Sequence, residues 1–333
     1  MKKHPTPVLT AEQVPYNQDK PRSCVFNAGV AKIDGEYLMV FRNDYEYLKR
    51  TLFSGTNLGI ARSQDGINWS VDPEPIITAD IIREQWAHIF PERFMPSEIR
   101  RVYDPRITVF DGKIILCLAM DTPHGVVGAI ASTTDWKNYE CLSISTPDNR
   151  NMVLFPEKVN GQFLRLERPF PIYGRGKPEA FEIWSSKSND LRYWGDTRLV
   201  LASEEVPYSN SKIGPAAPPI KTEKGWLCTI HAVEKVEEEL NSWHDNWKKI
   251  YHGGLILLDL EDPTKVIGLA KEPLIRPELK HEIEGFRGSV IFPCGMILED
   301  NNEVKIYYGS ADTCVGLVTA SLEELLDTIE PIN

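Results

Sequence analysis

Four basic side chains stand beside hydrophobic stretches that are typical of strands: Arg150, Arg168, Lys212 and His231. Arginine presents a planar fork that fits phosphate oxygens, and lysine adds a point charge. Cations gathered at one place in a chain of net charge −11 repel one another unless an anion lies between them. The set indicates either a phosphate site or four separate ion pairs with the abundant carboxylates, and spacing alone does not decide between the two.

One carboxylate, Asp104, lies in the run Tyr103-Asp104-Pro105-Arg106. Proline favours an extended backbone in the residue before it, which would project this aspartate rather than let it cap a helix. One interpretation is a general acid in a pocket, with a pKa that burial raises. The alternative is a turn-forming aspartate that pairs with Arg106.

Charged or polar groups follow each of five hydrophobic strands. A single polar strand end is uninformative, but five at equivalent positions favour a shared site. The runs are Arg42-Asn43-Asp44, Met120-Asp121, Glu167-Arg168-Pro169, His231-Ala232 and Gly309-Ser310-Ala311-Asp312.

These strands belong to a sequence repeat of two parts that occurs five times in the chain. The first part is a turn followed by a hydrophobic strand, and turns of the Asp-Gly or Asn-Gly type before apolar residues favour hairpins. The second part is another strand. The first parts begin at Asp34-Gly35, Asp111-Gly112, Asn160-Gly161, Lys224-Gly225 and Asn302-Glu303, and the second parts at Gly59, Gly128, Phe181, Gly254 and Gly316.

A repeat made only of strands, with a period of roughly 50–80 residues, predicts an all-β propeller, and five copies predict five blades. The alternative is five unrelated hairpins in a β-sandwich. In a propeller the innermost strands open into a central pocket. We assign the first-part strands to that position, so their ends should meet there.

Three stretches have helical character: 79–89, 233–249 and 321–328. The segment 234–249 is long for a connection between blade strands and contains Trp243 and Trp247. Long connections in compact domains are often lids or binding loops.

Composition excludes several classes of function. The chain has 333 residues without a dividing linker, so we expect a single domain over 1–333. A pI of about 5.2 without a basic stripe disfavours nucleic acid and anionic membranes as partners. No apolar run approaches the ~20 residues of a membrane span, and no apolar signal core follows the N-terminus, so we expect a cytoplasmic protein. Six cysteines without metal-ligand spacing predict reduced thiols and no metal site.

Several long motifs resemble the mannoside phosphorylases of glycoside hydrolase family 130. They are Phe26-Asn27-Ala28-Gly29-Val30, Val40-Phe41-Arg42-Asn43-Asp44, Tyr103-Asp104-Pro105-Arg106, Asn149-Arg150-Asn151-Met152-Val153, Leu166-Glu167-Arg168-Pro169, Lys212-Ile213-Gly214-Pro215 and Tyr307-Tyr308-Gly309-Ser310-Ala311-Asp312. The resemblance covers nearly the whole chain. It implies a five-bladed β-propeller that cleaves β-mannosides with inorganic phosphate and releases α-mannose 1-phosphate, inverting the anomeric centre.

The resemblance also implies roles for residues at matching positions. Asp104 would be the general acid, with its proton passing through the mannose 3-hydroxyl. Arg150, Lys212 and His231 would bind phosphate, with Arg168 near them. The residues implied to bind the mannoside are Asn27, Arg42, Asn43, Asp44, Asn57, Tyr103, Asn151 and Asp312.

One carboxylate is chemically sufficient for phosphorolysis. An inverting hydrolase needs a second carboxylate to activate water, whereas phosphate arrives as an anion and needs a cationic cradle instead. We therefore expect inorganic phosphate as co-substrate, no further cofactor, and a β-mannoside as partner, with self-association left open. The alternatives are a phosphate-independent β-mannosidase and a propeller that binds glycans without catalysis.

The glycosidic linkage of the substrate is predicted from the amino acids at particular positions within the motifs. Ala28-Gly29, Thr56-Asn57 and Ala216-Ala217 resemble the β-1,2-mannobiose and β-1,2-oligomannan branch more than the β-1,4 branches, which act on mannooligosaccharides or mannosyl-glucose. We expect the aglycone site to depend on the insertions 84–96 and 234–250.

Overall fold

A computed structural model describes residues 1–49, 52–89, 99–170 and 181–332. The strands in these ranges form five antiparallel sheets arranged as a five-bladed β-propeller, which confirms the predicted fold class. No helix in these ranges is long and apolar enough to span a membrane.

The chain begins with a short strand, β1 (Lys2–Lys3), which belongs to the last blade. Each of the first three blades is one continuous segment whose four strands lie side by side in chain order. Blade one contains β2 (Cys24–Ile33), β3 (Glu36–Tyr47), β4 (Phe53–Ser63) and β5 (Ser70–Val71). Blade two contains β6 (Arg101–Phe110), β7 (Lys113–Thr122), β8 (Gly125–Thr133) and β9 (Glu140–Ile144). Blade three contains β10 (Asn149–Leu154), β11 (Phe163–Pro169), β12 (Ile183–Ser188) and β13 (Trp194–Leu201).

The last two blades incorporate the chain ends. Blade four contains β14 (Lys212–Pro215), β15 (Ile220–Thr222), β16 (Gly225–Lys235), β17 (Lys249–Leu258), β18 (Val266–Ala270) and the late strand β22 (Ile329–Pro331). Blade five contains β19 (Ile291–Leu298), β20 (Glu303–Ser310) and β21 (Cys314–Ser321), with β1 as its outer strand. The pairing of β1 with β21 therefore closes the ring.

In each blade the innermost strand precedes the hairpin turn, and in blade four the short β15 lies between the innermost strand β14 and that turn. β2 contacts both β6 and β19, and β10 contacts both β6 and β14, so these first strands line the axis. The strands after the turns are the second strands β3, β7, β11, β16 and β20. The prediction that these second strands are innermost is wrong. The turn signal locates a hairpin, but it does not show which of the two hairpin strands lies nearer the axis.

Apolar side chains fill the gaps between neighbouring blades. Val40 of blade one packs in a cluster with Leu116 of blade two, and Phe155 of blade three in a cluster with Trp226 of blade four. Further clusters join blades two and three, four and five, and five and one. All six cysteines are free and buried. These contacts fix the blades relative to one another, and hence the strand ends that they carry.

The α-helices in the part of the chain that the structure describes are short and lie between strands. They are α1 (Ala79–Gln85), α2 (Lys280–Ile283) and α3 (Leu322–Asp327). The predictions over 79–89 and 321–328 are confirmed in position, with α1 and α3 capped by Thr78 and Ser321. Ser321 also forms a capping box with Glu324.

The predicted helix over 233–249 is wrong. Strands β16 and β17 stay paired as far as Lys235 and Lys249, and an irregular loop joins them. Backbone groups of this loop bond to another segment: Trp243 N donates to Gly285 O and His244 N to Phe286 O. These tertiary hydrogen bonds satisfy groups that a helix would have paired internally.

Candidate active site

One end of the propeller, the mouth, collects the polar strand ends. Because neighbouring strands are antiparallel, the end of each second strand lies beside the start of the innermost strand. Asp44 of β3 is opposite the first residue of β2, and Arg168 of β11 is opposite Arg150 of β10. His231 of β16 likewise faces Gly214 of β14. Residues from two strands of each blade therefore meet at the mouth.

Three innermost strands carry a β-bulge near the mouth. Each bulge places a polar residue in left-handed backbone: Asn27 (φ 48°), Asp104 (φ 52°) and Asn151 (φ 58°). Asn and Asp tolerate this region better than other side chains, and bulges re-aim the side chains that they carry. The extended backbone predicted for Asp104 from the following proline is wrong, because the bulge imposes the left-handed conformation.

The Asp104 carboxylate is held by two neighbouring blade-one residues. Asn27 Nδ2 donates to Asp104 Oδ1 over 2.9 Å, and Arg42 Nη1 donates to the same oxygen over 3.1 Å. Arg106, the alternative partner, instead donates to main-chain carbonyls of Ala216, Asp104 and Pro105. Asp104 is therefore not part of an ion-paired turn with Arg106, and Arg106 braces the bulge that carries it.

The pKa of Asp104 is shifted in the direction opposite to the one predicted from the sequence. Burial alone would raise the pKa of Asp104, but Arg42, Arg106 and Arg150 outweigh burial and hold it below its usual value. The expectation of a raised pKa is wrong, because three guanidinium groups stabilise the carboxylate more than burial destabilises it.

Arg42 is fixed from several directions. Its Nε and Nη2 donate to the two carboxylate oxygens of Asp44 over 2.9 and 2.6 Å, and Thr56 Oγ1 donates to Asp44 over 2.7 Å. The guanidinium lies 4.6 Å from the ring centre of Phe26 and 4.8 Å from that of Tyr103. This geometry makes Arg42 and Asp44 a rigid polar wall beside Asp104.

Asn43 and Asn57 are not brought to Asp104. Successive side chains of a strand point to opposite faces, so Asn43 points away from the face that Arg42 and Asp44 share. Its amide donates to Asn57 Oδ1 over 3.1 Å and exchanges hydrogen bonds with Asn17. These buried amides join the N-terminal segment to blade one.

Arg168 and His231 form a buried pair. Arg168 Nη1 lies 2.9 Å from His231 Nε2, which must act as acceptor because guanidinium only donates. Burial, Arg168 and Lys212 hold the pKa of His231 well below its usual value. The prediction of a cationic His231 is therefore wrong, and it is a neutral ring at neutral pH. Burial and Arg150 lower the pKa of Arg168 to about 9, which leaves Arg168 charged.

Arg150 and Lys212 complete the cluster. Burial would lower the pKa of Arg150, but Tyr103 and Asp104 raise it, and Tyr103 also hydrogen-bonds it. Lys212 Nζ lies 5.6 Å from the ring centre of Phe181 and 5.4 Å from that of Tyr251.

Several polar atoms at the mouth have no hydrogen-bond partner within the described ranges. They are Arg150 Nε, Arg168 Nε, Asn27 Oδ1 and both polar atoms of the Asn151 amide. Unsatisfied buried groups are rare in folded proteins. Their clustering beside Asp104 indicates a site built to receive a polar ligand.

Asp312 lies at the same mouth, in the turn between β20 and β21. Arg287 Nη1 donates to Asp312 Oδ2 over 3.2 Å. Burial raises the pKa of Asp312, opposed by Arg287 and Arg42 and supported by the nearby carboxylates of Asp104 and Asp44.

Arg287 and Tyr251 also belong to the site, although no motif in the sequence predicted them. The Tyr251 ring stacks on His231 at 6.3 Å between centroids, and Arg168 and Asp312 both influence its pKa, which burial raises. Neither residue follows a hydrophobic strand, so the search for polar strand ends passed over both. A search of the residues just before strands would have found Arg287.

The insertion 234–250 reaches this mouth, as far as the described residues show. Its Trp247 ring centre lies 5.1 Å from the Arg287 guanidinium, and Trp247 Nε1 donates to Gly288 O. Within the insertion 84–96, residues 84 and 85 are the last two of α1, and residues 86–89 come directly after this helix. Residues 90–96 lie outside the described residues.

Comparisons with known proteins cover the whole chain. The model of glycoside hydrolase family 130, described as beta-1,4-mannooligosaccharide phosphorylase, matches residues 2–331. A 1,2-beta-oligomannan phosphorylase from Thermoanaerobacter sp. (strain X514) is 30% identical over 91% of this chain and 92% of its own length. A beta-1,4-mannooligosaccharide phosphorylase from Ruminococcus albus is 29% identical over 97% of this chain and 89% of its own.

The fold has a close counterpart among solved structures. A beta-1,2-mannobiose phosphorylase from Listeria innocua, solved with beta-1,2-mannobiose, superposes with a TM-score of 0.79 and is 26% identical. The match covers 98% of each chain.

Proposed function

The chain belongs to glycoside hydrolase family 130, an enzyme family of mannoside phosphorylases, and we propose that it cleaves β-mannosides with inorganic phosphate to release α-mannose 1-phosphate. One observation carries this proposal: Arg150 and Arg168 face each other directly across β10 and β11. Like charges opposite each other destabilise a sheet. A phosphate bound between them, with Lys212 beside it, offsets that repulsion.

Phosphate supplies the nucleophile in this mechanism. Arg150, Arg168 and Lys212 hold its oxygens and orient one of them behind the anomeric carbon, which makes the attack effectively intramolecular. Neutral His231 keeps Arg168 oriented through the 2.9 Å contact. Attack from the face opposite the leaving group inverts the anomeric centre, and no carboxylate base is needed.

Asp104 is the proton donor for the leaving sugar. Arg42 and Asn27 fix its Oδ1, and the proton passes to the glycosidic oxygen through the mannose 3-hydroxyl, as the family resemblance implies. The Arg42–Asp44 wall, Asn151 and Asp312 would bind the hydroxyls of the non-reducing mannose.

Phosphate binding should increase the proton occupancy of Asp104. The cations that depress the pKa of Asp104 include Arg150, and a phosphate dianion offsets their charge and adds a like charge of its own. The pKa of Asp104 should therefore be higher in the phosphate complex than in the free protein, and the carboxylate should take up protons when phosphate binds.

Calorimetry in buffers of different ionisation enthalpy measures this uptake. The wild-type protein should bind more protons with phosphate than Asp104→Asn does, by up to one per site. The variant is the control for the proton that phosphate itself loses among the cations. Equal proton balances in the two proteins would contradict this coupling.

Gly214 should contribute to phosphate affinity by leaving room for the Arg168–His231 pair. A Cβ at this position would lie 2.4 Å from His231 Cε1 and 3.0 Å from Arg168 Cδ. Gly214→Ala should therefore displace the Arg168–His231 pair and raise the KM for phosphate by about tenfold, a loss of about 1.4 kcal/mol. In Gly195→Ala, the matched control, the added methyl meets no atom within 4 Å. A phosphate KM unchanged in Gly214→Ala would remove the pair from the phosphate site.

We further propose β-1,2-mannobiose or short β-1,2-oligomannans as the preferred substrates. The amino acids at Ala28-Gly29 and Ala216-Ala217, which resemble the β-1,2 branch, support this choice. Relatives named for β-1,2 substrates support it as well. Synthesis from mannose 1-phosphate and mannose tests it, and the disaccharide should be 1,2-linked by NMR. A 1,4-linked product would overturn the linkage while leaving phosphorolysis in place.

A further inference from the structure

A cavity of about 710 Å³ lies at the rim of the mouth, between blades five and one. One wall is the N-terminal segment between residues 7 and 23, and the other is Trp243 of the insertion with Thr313 and Cys314. We call it the rim cavity. Its volume falls within the range of small-molecule sites.

The rim cavity and the Asp104 site share a wall. Asp312 contacts Arg287 on the side of the Asp104 site, and the next residue, Thr313, lines the rim cavity. The insertion spans both, since Trp247 packs on Arg287 while Trp243 lines the cavity. The rim cavity is therefore adjacent to the Asp104 site, and the same insertion contacts both.

Hydrogen bonds of its main chain and ring contacts fix the position of Trp243. Its N donates to Gly285 O over 2.9 Å, and its carbonyl accepts from Tyr47 OH over 3.1 Å. Its ring lies 6.1 Å from the Tyr47 ring, in a cluster with Phe286. An indole anchored through its main chain can present an apolar face without a large loss of conformational freedom.

The opposite wall is polar and of mixed charge. Glu12, Gln18 and Arg22 are exposed, and Lys20 is half-buried over the Tyr45 ring. Donors and acceptors of both kinds opposite an aromatic face suit a neutral polyhydroxyl ligand, whose ring stacks on one wall while its hydroxyls bond to the other. An anion would meet Glu12, and a cation would meet Lys20 and Arg22.

We propose that the rim cavity binds the distal sugar units of an oligomannoside whose non-reducing mannose occupies the Asp104 site. This inference rests on the proposed function and adds to it a preference for chain length. The distal units contribute binding on Trp243 that a disaccharide cannot reach. The preference is therefore set by the insertion and the N-terminal segment rather than by the residues around Asp104.

Phosphorolysis of β-linked mannobiose, mannotriose and mannotetraose tests the proposal. The wild-type kcat/KM should rise by about tenfold from the disaccharide to the longest substrate, equivalent to about 1.4 kcal/mol. Trp243→Ala should abolish that rise, because it lowers kcat/KM on the longer substrates about tenfold more than on the disaccharide. Tyr193→Ala, which removes an aromatic ring that is 82% exposed and lies on blade three, is the matched control and should keep the rise.

A second variant guards against local disruption by Trp243→Ala. Glu12→Ala combined with Gln18→Ala removes two exposed side chains from the opposite wall and should lower the chain-length rise at least threefold. Equal wild-type kcat/KM for all three lengths would overturn the inference, as would a chain-length rise that persists in full in the Glu12→Ala/Gln18→Ala variant. If Trp243→Ala lost activity equally on all three lengths, this second variant would decide the outcome. Failure of the proposed function has a different signature, namely no phosphorolysis of the disaccharide by the wild-type protein.

Discussion

Asp104→Asn should lower turnover with phosphate by about 10²–10⁴-fold, the usual contribution of a general acid. The amide is nearly isosteric, and its oxygen can still accept from Asn27 and Arg42, so the bulge and the sugar site should persist. It cannot supply the proton that the leaving sugar requires. Release of mannose 1-phosphate at saturating substrate measures the loss, and thermal unfolding and sugar affinity should change little.

Asp300→Asn is the matched control for this substitution. Asp300 is exposed in a turn of blade five, outside the site residues described above. Its variant should retain turnover within about twofold. Turnover within a few-fold of the parent in Asp104→Asn would remove Asp104 from the mechanism, whatever its contacts.

Arg150→Ala should raise the apparent KM for phosphate by about 10- to 100-fold, because a hydrogen bond to a charged group contributes about 1.5–3 kcal/mol. Arg150 contacts Tyr103 and faces Arg168, and its Nε has no partner within the described ranges. The KM for the mannoside should rise much less. Initial rates with each substrate varied in turn separate the two constants.

Arg198→Ala is the matched control for the loss of charge. Arg198 lies on the outer strand of blade three, where its side chain is 63% exposed and pairs with Asp196. Its phosphate KM should match the parent. If Arg150→Ala instead raised the mannoside KM as much as the phosphate KM, Arg150 would belong to the sugar site.

The blade count follows from the sequence because its signals are local. Asp34-Gly35, Asp111-Gly112 and Asn160-Gly161 all adopt positive φ, as tight hairpin turns require. A turn of this kind is encoded within a few residues, so no tertiary contact has to be known in advance. The innermost strands lack such a signal, and only the packing of blades around the axis identifies them.

Alternation along β3 separates the three polar residues at its end. Arg42 and Asp44 share one face of the strand, and Asn43 must therefore point to the other. The motif quoted all three together, but the period of two already separates them. The hydrogen bonds between Asn43 and Asn17 are tertiary contacts, since Asn17 lies outside the blade. Alternation along the strand therefore does not predict them.

Charge states at the mouth depend on several blades at once. Arg42, Arg106 and Arg150 come from three separate strands, and their combined field reverses the expected shift in the pKa of Asp104. Burial, Arg168 and Lys212 together lower the pKa of His231, whose Nε2 accepts from Arg168. Sequence spacing identifies such residues as neighbours of a site, but the sign of each effect depends on distances that only the fold sets.

The most direct test is to incubate the protein with β-1,2-mannobiose, with and without inorganic phosphate, and to identify the products. We expect α-mannose 1-phosphate and mannose when phosphate is present, and no cleavage in phosphate-free buffer, since the proposed mechanism uses phosphate held by Arg150, Arg168 and Lys212 as the nucleophile in place of a water activated by a carboxylate base. Free mannose as the only product, formed at the same rate without phosphate, would contradict phosphorolysis and identify the protein as a hydrolase.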